Sequence, residues 1–250
     1  MPTERGVLVV TGGSRGIGAE TVRRAAASGW AVCFSYVEAE DRADALVVEV
    51  RKSGGRAVAV RANIAQESDV LALFRAADVL GPVRGLVANA AVVAPPSRLR
   101  DFTAERVQRV LDVNVLGTIL CCREAVRRMS TADGHAGGSI VMVSSAASRI
   151  GSAGEYVDYA ASKGAVDSLV TGLSREVAAE GIRVNAVRPG TTSTEIHERN
   201  GQSARVRAME SLIPLRRAAA PYEVAEAVLW LLSDAASYCV GSVLDVAGGR

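Results

Sequence analysis

Short runs of β-branched and apolar residues alternate with longer stretches of helical periodicity along the whole chain. Each run is almost continuously apolar, which is typical of strands buried on both faces of a parallel sheet. This alternation predicts an α/β fold in which helices cover both sides of the sheet. The predicted strands are Val7–Val10, Ala31–Ser35, Ala57–Val60, Leu86–Ala88, Ile140–Val143, Arg183–Val187 and Val243–Val246.

Helical patterns fill the stretches between these strands, and several have residues at their ends that commonly begin or end a helix. Ser68 and Thr103 are predicted N-caps, because a side-chain oxygen there can accept a hydrogen bond from the first helical turn. Gly29, Gly54 and Gly181 are predicted C-terminal caps. The predicted helices are Ile17–Ala27, Asp41–Lys52, Ser68–Ala77, Ala104–Arg128, Val157–Ala179 and Tyr222–Leu232.

The chain of 250 residues contains no repeat, low-complexity tract or Pro/Gly/Ser-rich linker. We therefore predict one doubly wound domain, and its 49% of hydrophobic residues can form a sizeable core. The polar, weakly periodic segment 191–220 is predicted to be a substrate loop or lid, since long irregular stretches in compact domains are often functional.

Composition argues against several functional classes. The net charge of +2 comes from interspersed acidic and basic residues, which is unlike the basic patch of a nucleic-acid-binding surface. No apolar run approaches the roughly 20 residues of a membrane helix, and the start MPTERGVLVV lacks the pattern of a signal peptide. These features predict a soluble, cytoplasmic protein.

Neither the cysteines nor the histidines form a metal-ligand pattern. The four cysteines are predicted to be buried thiols in a reducing compartment, because none belongs to a CxxC pair. The histidines, His135 and His197, are not needed for the chemistry considered below, and no metal site is predicted. The four cysteines are Cys33, Cys121, Cys122 and Cys239.

A glycine-rich turn, TGGSRGIG at residues 11–18, joins the first strand to the first helix. Its glycines permit a tight turn and let backbone amides approach a pyrophosphate, whose charge also favours the helix N-terminus. The spacing is GxxxGxG rather than the standard GxGxxG, and a purely structural turn remains an alternative.

The residues around this turn favour NADP over NAD. NAD sites usually place a carboxylate after the second strand, whereas here that strand ends at Ser35 and Tyr36 with no carboxylate before Glu38. Arg15, inside the turn, can reach a 2′-phosphate. The alternative is a solvated Arg15 with Glu38 binding the ribose hydroxyls.

The second motif, YAASK, places Tyr159 and Lys163 four residues apart. On a helix the two side chains share one face. A free tyrosine has a pKa near 10, and a neighbouring cation favours the phenolate, so we expect Lys163 to lower the pKa of Tyr159 and enable proton transfer. The alternative is a surface Tyr/Lys pair with no chemical role.

Two further polar sites accompany these motifs. Ser144 and Ser145 follow a buried strand at its carboxyl end, where ligands bind in open α/β sheets. Asn114 lies within an otherwise helical apolar pattern, and a buried amide needs hydrogen-bond partners. It either kinks or caps the helix, or holds a water for a proton relay.

Taken together and in this order, the motifs resemble those of the short-chain dehydrogenase/reductase family over nearly the whole chain. TGGSRGIG matches the family's TGxxxGxG turn, and NVLGT, VSSAAS and YAASK match its catalytic motifs. There are two departures: ANAA at residues 88–91 replaces the final glycine of NNAG, and Asn63 stands where the family usually has Asp. The chain is especially similar to bacterial sugar dehydrogenase-like and 3-oxoacyl carrier-protein reductase-like members.

The resemblance implies a Rossmann-type seven-stranded sheet, a homotetramer and reversible reduction of a carbonyl to a secondary alcohol. It implies that Asn114, Ser145, Tyr159 and Lys163 are catalytic, with Tyr159 as general acid/base. The cofactor-binding residues that it implies are Gly12, Ser14, Arg15, Gly16, Ile17, Gly18, Tyr36, Asn63, Ile64, Asn89, Ala90, Tyr159, Lys163, Pro189, Gly190, Thr192 and Thr194.

Two other classes of function remain open. The chain could be a catalytically idle NADP-binding sensor or scaffold, although its intact catalytic motifs argue against this. It could also reduce a substrate carried by acyl carrier protein, which would need a basic docking surface near the site. The candidates for that surface are Arg98, Arg100, Arg127 and Arg128.

Overall fold

The computed structural model describes residues 5–193 and 210–250. These residues form a seven-stranded parallel sheet with the strand order β3-β2-β1-β4-β5-β6-β7. Every predicted strand is confirmed, and five of them are longer than predicted. The strands are β1 (Val7–Val10), β2 (Ala31–Tyr36), β3 (Arg56–Arg61), β4 (Val83–Ala88), β5 (Gly138–Val143), β6 (Ile182–Pro189) and β7 (Val243–Val246).

Helices cover both faces of the sheet, as the strand–helix alternation predicts. Within the described ranges, no helix is long and apolar enough to cross a membrane. The helices are α1 (Gly16–Ala27), α2 (Glu40–Lys52), α3 (Glu67–Leu80), α4 (Ala104–Leu111), α5 (Thr118–Met129), α6 (Ala147–Ile150), α7 (Val157–Val177) and α8 (Pro221–Leu232).

Successive side chains of the central strand β1 enter two different cores, because neighbouring residues of a strand point to opposite faces. Val7 and Val9 pack with α3, α5 and α7, whereas Leu8 and Val10 pack with α1, α2 and α8. The buried-thiol prediction is confirmed for three of the cysteines, while Cys239 is half-buried. The central strands, which are buried on both faces, leave only their ends available for a ligand.

The predicted helix ends are partly confirmed. The Thr103 hydroxyl accepts a hydrogen bond from the Arg106 amide at 3.2 Å, and Gly29 and Gly54 follow their helices with positive φ. Gly181 also has positive φ, after a short 3-10 turn that extends α7. The prediction for Ser68 is wrong, since α3 already begins at Glu67.

The sheet order predicts a ligand crevice at the carboxyl ends of β1 and β4. The chain runs from β1 outward through β2 and β3, and then crosses to the other side of β1 to form β4. In open α/β sheets, ligands bind where the strand order reverses in this way. The glycine-rich turn follows β1 at this position.

Arg183 of β6 joins the sheet to the end of α8. Its guanidinium donates hydrogen bonds of 2.7–3.2 Å to the carbonyls of Leu231, Leu232, Ser233 and Ala236. The last carbonyls of a helix have no partner within the helix, and Arg183 supplies donors to two of them, at Leu231 and Leu232. The Leu231, Ser233 and Ala236 carbonyls each accept a second hydrogen bond as well. Burial lowers the pKa of Arg183, and the nearby charge of Asp234 opposes this effect.

We expect Arg183→Met to lower the free energy of unfolding by about 2–4 kcal/mol, because four charge-assisted hydrogen bonds between β6 and the end of α8 are lost. Urea unfolding followed by circular dichroism measures the change. Arg175→Met, at an exposed position on α7, is the matched control and should change stability by less than about 0.5 kcal/mol. Equal effects of the two substitutions would show that Arg183 has no capping role.

Candidate active site

The glycine-rich turn is held by hydrogen bonds from the neighbouring strands. The Gly12 amide donates to the Ser35 hydroxyl at 3.0 Å, and the Gly13 amide donates to the Ser35 carbonyl at 2.9 Å. Gly12 and Gly16 have φ values of +66° and +50°, which side chains disfavour. The end of β2 therefore fixes the shape of the turn.

Close contacts within this turn leave no room for a side chain at Gly13 or Gly18. A Cβ on Gly18 would lie 2.3 Å from the Gly12 carbonyl oxygen, and a Cβ on Gly13 would lie 2.5 Å from Phe34. Helix α1 begins at Gly16, which is half-buried. The first backbone amides of the helix therefore belong to this turn. Ser14, Arg15 and Ile17 belong to the same half-buried surface. This cradle fits the phosphates of a dinucleotide.

Asn89 supports the turn from the end of β4. Its side-chain amide donates to the carbonyls of Thr11 and Gly12 at 2.9 and 3.1 Å. The amides of Asn89 and Ala90 both donate to the Thr11 hydroxyl at 2.9 Å. The Asn89 side chain, predicted to bind the cofactor, thus holds the turn in shape.

The other cofactor candidates near the turn follow β2 and β3. Tyr36 is almost fully buried, and burial together with the charges of Glu40 and Asp44 raises its pKa. The Asn63 amide donates to Asp69 at 2.9 Å, and the Asn63 side-chain oxygen accepts from the Ala65 amide.

Ser145, Tyr159 and Lys163 come together at the carboxyl end of β5. Tyr159 and Lys163 lie one turn apart on α7, and the Lys163 ammonium lies 5.7 Å from the centre of the Tyr159 ring. The Tyr159 hydroxyl is hydrogen-bonded to Ser145. Lys163 is only 3% exposed and donates to the Val143 carbonyl at 2.7 Å. The arrangement holds a phenol, a hydroxyl and an amine at one site.

The prediction that Lys163 lowers the pKa of Tyr159 is wrong. Burial raises the pKa of the Tyr159 hydroxyl, and the hydrogen bond with Ser145 opposes this rise. Burial lowers the pKa of Lys163 to about 8, and the charge of Asp167 opposes that fall. The Lys163 ammonium lies over the Tyr159 ring and donates to the Val143 carbonyl.

Asn114 interrupts the helix that was predicted to span Ala104–Arg128. It lies fully buried in a π-helical turn, Asp112–Gly117, between α4 and α5. Its side chain accepts from the Val92 amide at 2.8 Å and donates to the Val92 carbonyl and the Ser162 hydroxyl at 3.0 Å. The predicted helical stretch is confirmed as helical along its whole length, and the π turn within it is the feature that the sequence did not predict. The Asn114 amide holds the segment after β4 against α7.

Gly117 allows this π turn to approach Ile64, which is another cofactor candidate. A Cβ on Gly117 would lie 2.7 Å from the Ile64 side chain. Ile64 is itself buried, at 3% exposure. Its side chain therefore supports the π turn from the β3 side of the crevice.

The remaining candidates follow β6. The Pro189 carbonyl accepts from the Ala146 amide at 2.9 Å, and a Cβ on Gly190 would lie 2.8 Å from Ala247. Thr192 is buried and donates to the Gly190 carbonyl at 3.2 Å. Thr194, His197 and most of the predicted lid lie outside the described residues.

Two charged groups next to the site were missed by the sequence reasoning. Asp167 accepts from the Ser144 hydroxyl at 2.6 Å and from the Arg188 guanidinium at 3.0 Å. Asp158 is buried immediately before Tyr159 and pairs with Arg106. The position of Asp167, four residues after Lys163 on a predicted helix, could have been noticed from the sequence.

Comparison with known proteins identifies the family. The model described as "Enoyl-(Acyl carrier protein) reductase" matches residues 12–250. The chain belongs to this family of short-chain dehydrogenase/reductases and is an oxidoreductase by descent.

Individual relatives match over nearly their full lengths. The chain is 50% identical to the uncharacterized oxidoreductase YgfF of Escherichia coli (strain K12), covering 98% of this chain and 99% of the relative. It is 41% identical to cis-4-hydroxycyclohexanecarboxylate dehydrogenase of Sinomonas cyclohexanicum, covering 97% and 95%. A short-chain dehydrogenase from Burkholderia cenocepacia J2315 in complex with NADP superposes with a TM-score of 0.91 at 31% identity, covering 100% and 99%.

Proposed function

We propose that the chain is an NADP(H)-dependent oxidoreductase that interconverts a carbonyl and a secondary alcohol. The observation that carries this proposal is the grouping of Ser145, Tyr159 and Lys163 on the same sheet edge as the glycine cradle. The dehydrogenase names of relatives that match from end to end support the reaction class.

The cradle and the end of β2 support NADP as the cofactor. The Ser35 hydroxyl is hydrogen-bonded to Gly12, and Glu38, the first carboxylate after the strand, is exposed. Arg15 is the N-cap residue of α1, beside the phosphate cradle. The Burkholderia structure, which has the same fold, holds NADP. When bound, this cofactor supplies or accepts the hydride.

The residues of the chain supply the proton and orient the substrate oxygen. Tyr159 gives its proton to that oxygen during reduction, and Ser145 holds the same oxygen by a hydrogen bond. Because burial raises the pKa of Tyr159, the phenol stays protonated at neutral pH, which suits a proton donor. Lys163, with its buried ammonium, would hold the ribose of the nicotinamide cofactor, and this is the role that its charge serves. The role of Asn114 in holding a relay water stays a prediction.

A homotetramer also stays a prediction, in which α4, α5 and α7 would form one interface and β7 with the C-terminal tail another. The described residues supply apolar side chains for both. Leu111, Leu116 and Ile119 are exposed on the α4–α5 segment. Leu244 is exposed on the edge strand β7, and Val240 is exposed just before that strand. Contiguous exposed apolar residues often mark protein contacts.

Two of the four arginines that could form a docking surface for acyl carrier protein are already paired with carboxylates of this chain. Arg128 donates to Asp78 and Glu124, and Arg127 pairs with Glu124. Both residues lie at the far end of α5, about 20 Å along the helices from Asn114. Arg98 and Arg100 are exposed on a loop that follows β4, so they remain as docking candidates.

Assays of nicotinamide absorbance with a panel of carbonyl compounds test the proposal. The panel should include cyclic ketones, open-chain ketones and a 3-oxoacyl group on acyl carrier protein. We expect NADPH-dependent reduction of at least one free ketone, with NADH clearly less effective. Tight NADPH binding without turnover of any compound would favour the idle sensor. Turnover of the carrier-bound substrate alone would favour the carrier-protein reductase.

A further inference from the structure

We propose that Arg106 is a positioning residue that fixes the backbone at Tyr159 and joins the two loops flanking the catalytic group. This inference deepens the proposed function and rests on it. Arg106 lies on α4, outside the motifs that define the site, and its side chain is 13% exposed.

Arg106 forms a bidentate ion pair with Asp158. Two guanidinium nitrogens donate to the two carboxylate oxygens at 2.8 and 3.2 Å, and the Asp158 side chain is only 2% exposed. A carboxylate so deeply buried is costly unless a cation and hydrogen bonds compensate it. Asp158 therefore depends on Arg106 to stay in place.

Asp158 in turn holds Tyr159. Its Oδ1 atom accepts a hydrogen bond from the Tyr159 backbone amide at 2.9 Å. Tyr159 lies in the first turn of α7, where amides have no partner within the helix. The Asp158 carboxylate thus fixes the backbone at Tyr159, in the first turn of α7.

The remaining donors of the same guanidinium hold the two loops. Nη1 donates to the Pro95 carbonyl at 2.6 Å, in the loop after β4, and Nη2 lies 3.5 Å from the Glu155 carbonyl, in the loop before α7. The guanidinium also stacks on the Phe102 ring at 3.9 Å. A lysine cannot reproduce this forked, planar set of contacts.

Loss of the guanidinium should therefore displace Tyr159 and loosen both loops together. Misplacement of a reacting group by about 1 Å can lower a rate by about 100-fold. The cofactor cradle is built from β1, β2, β4 and α1, and it makes none of these contacts. The expected defect is thus in turnover and in carbonyl KM, and not in NADPH binding.

Arg128 provides a matched control on α5. It also pairs with a carboxylate through two nitrogens, at 2.8–3.1 Å from Asp78, and lies 5.2 Å from the centre of the Phe74 ring. Its side chain is 21% exposed. It resembles Arg106 in chemistry but lies far from the catalytic group.

The experiment compares Arg106→Ala and Arg106→Lys with Arg128→Ala and Arg128→Lys. We expect both Arg106 variants to lose at least about tenfold in kcat, with carbonyl KM raised and NADPH Kd within about twofold of wild type. Millimolar guanidinium should partly restore the kcat of Arg106→Ala. The Arg128 variants should keep wild-type kcat even where their melting temperature falls. The lysine variants keep the comparison possible if an alanine variant does not fold.

Hydrogen exchange measures the positioning without any turnover. Amides 155–160 should exchange faster in the Arg106 variants than in wild type, and equally fast in wild type and the Arg128 variants. Wild-type kcat together with unchanged exchange would overturn the inference, as would equal losses of kcat in both pairs. If wild-type protein reduces no carbonyl, the proposed function fails, while the exchange result still decides whether Arg106 positions Tyr159.

Discussion

Tyr159→Phe is expected to lower kcat for carbonyl reduction by about 10² to 10⁴-fold, the range contributed by one positioned acid or base. The substitution removes the phenol oxygen that is hydrogen-bonded to Ser145 and leaves the ring beside Lys163. Because the glycine cradle does not contact Tyr159, the Kd for NADPH should stay within about twofold of wild type. Steady-state kinetics and fluorescence titration with NADPH measure the two quantities.

Tyr238→Phe is the matched control for this result. The same oxygen is removed from a fully exposed tyrosine, so both kcat and NADPH binding should be unchanged. Retention of more than about a tenth of the wild-type kcat in Tyr159→Phe would contradict the role assigned to the phenol.

Lys163 should set the alkaline limit of the reaction. Its pKa is about 8, so wild-type kcat/KM for reduction should fall as the pH rises through that value and the charge is lost. Lys163→Met should be at least about 100-fold less active at pH 7, and its activity should not fall in the same way between pH 7 and 9. Rate profiles over that range check both expectations.

Asp167→Asn tests the electrostatic origin of this limit. The negative charge of Asp167 raises the pKa of Lys163, so its removal should move the alkaline fall in activity to lower pH. Unfolding through Lys163 does not explain this fall in activity. Since the folded chain binds the Lys163 proton less tightly than the unfolded chain, the contribution of Lys163 to the free energy of unfolding increases as the pH rises from about 8 to 10.5. If kcat/KM of Asp167→Asn falls at the same pH as that of wild type, the assignment of this limit to Lys163 is contradicted.

The sequence pattern predicted the fold well because the central strands are buried on both faces. Continuous apolar runs such as Val7–Val10 leave few alternatives to a central parallel strand. The motif residues also come together as predicted, since glycine spacing and the i, i+4 relation are local properties of the chain. Local patterns are what a single sequence displays most directly.

The failures concern features that depend on tertiary contacts. The π turn at Asn114 is accompanied by hydrogen bonds to Val92 and Ser162, which are distant in the sequence. The pairing of Arg106 with Asp158 spans 52 positions and has no local signature.

The pKa of Tyr159 was predicted to be lowered because the sequence shows a neighbouring charge, whereas it does not show the burial that raises this pKa in the folded protein. Desolvation disfavours the charged form of any buried group. It acts on the phenol and on Lys163 alike. The proton chemistry of this site is therefore set by burial as much as by the spacing of the two residues.

The most direct test of the proposed reaction follows isotopes with a ketone that the carbonyl panel identifies. Wild-type enzyme is incubated with that ketone and NADPH deuterated at both C4 positions, and the alcohol is analysed by mass spectrometry and NMR. We expect one deuterium on the carbinol carbon of every alcohol molecule that wild type forms. Tyr159→Phe should form almost no alcohol. Alcohol without deuterium at that carbon, or equal yields from the two proteins, would contradict the proposed reaction.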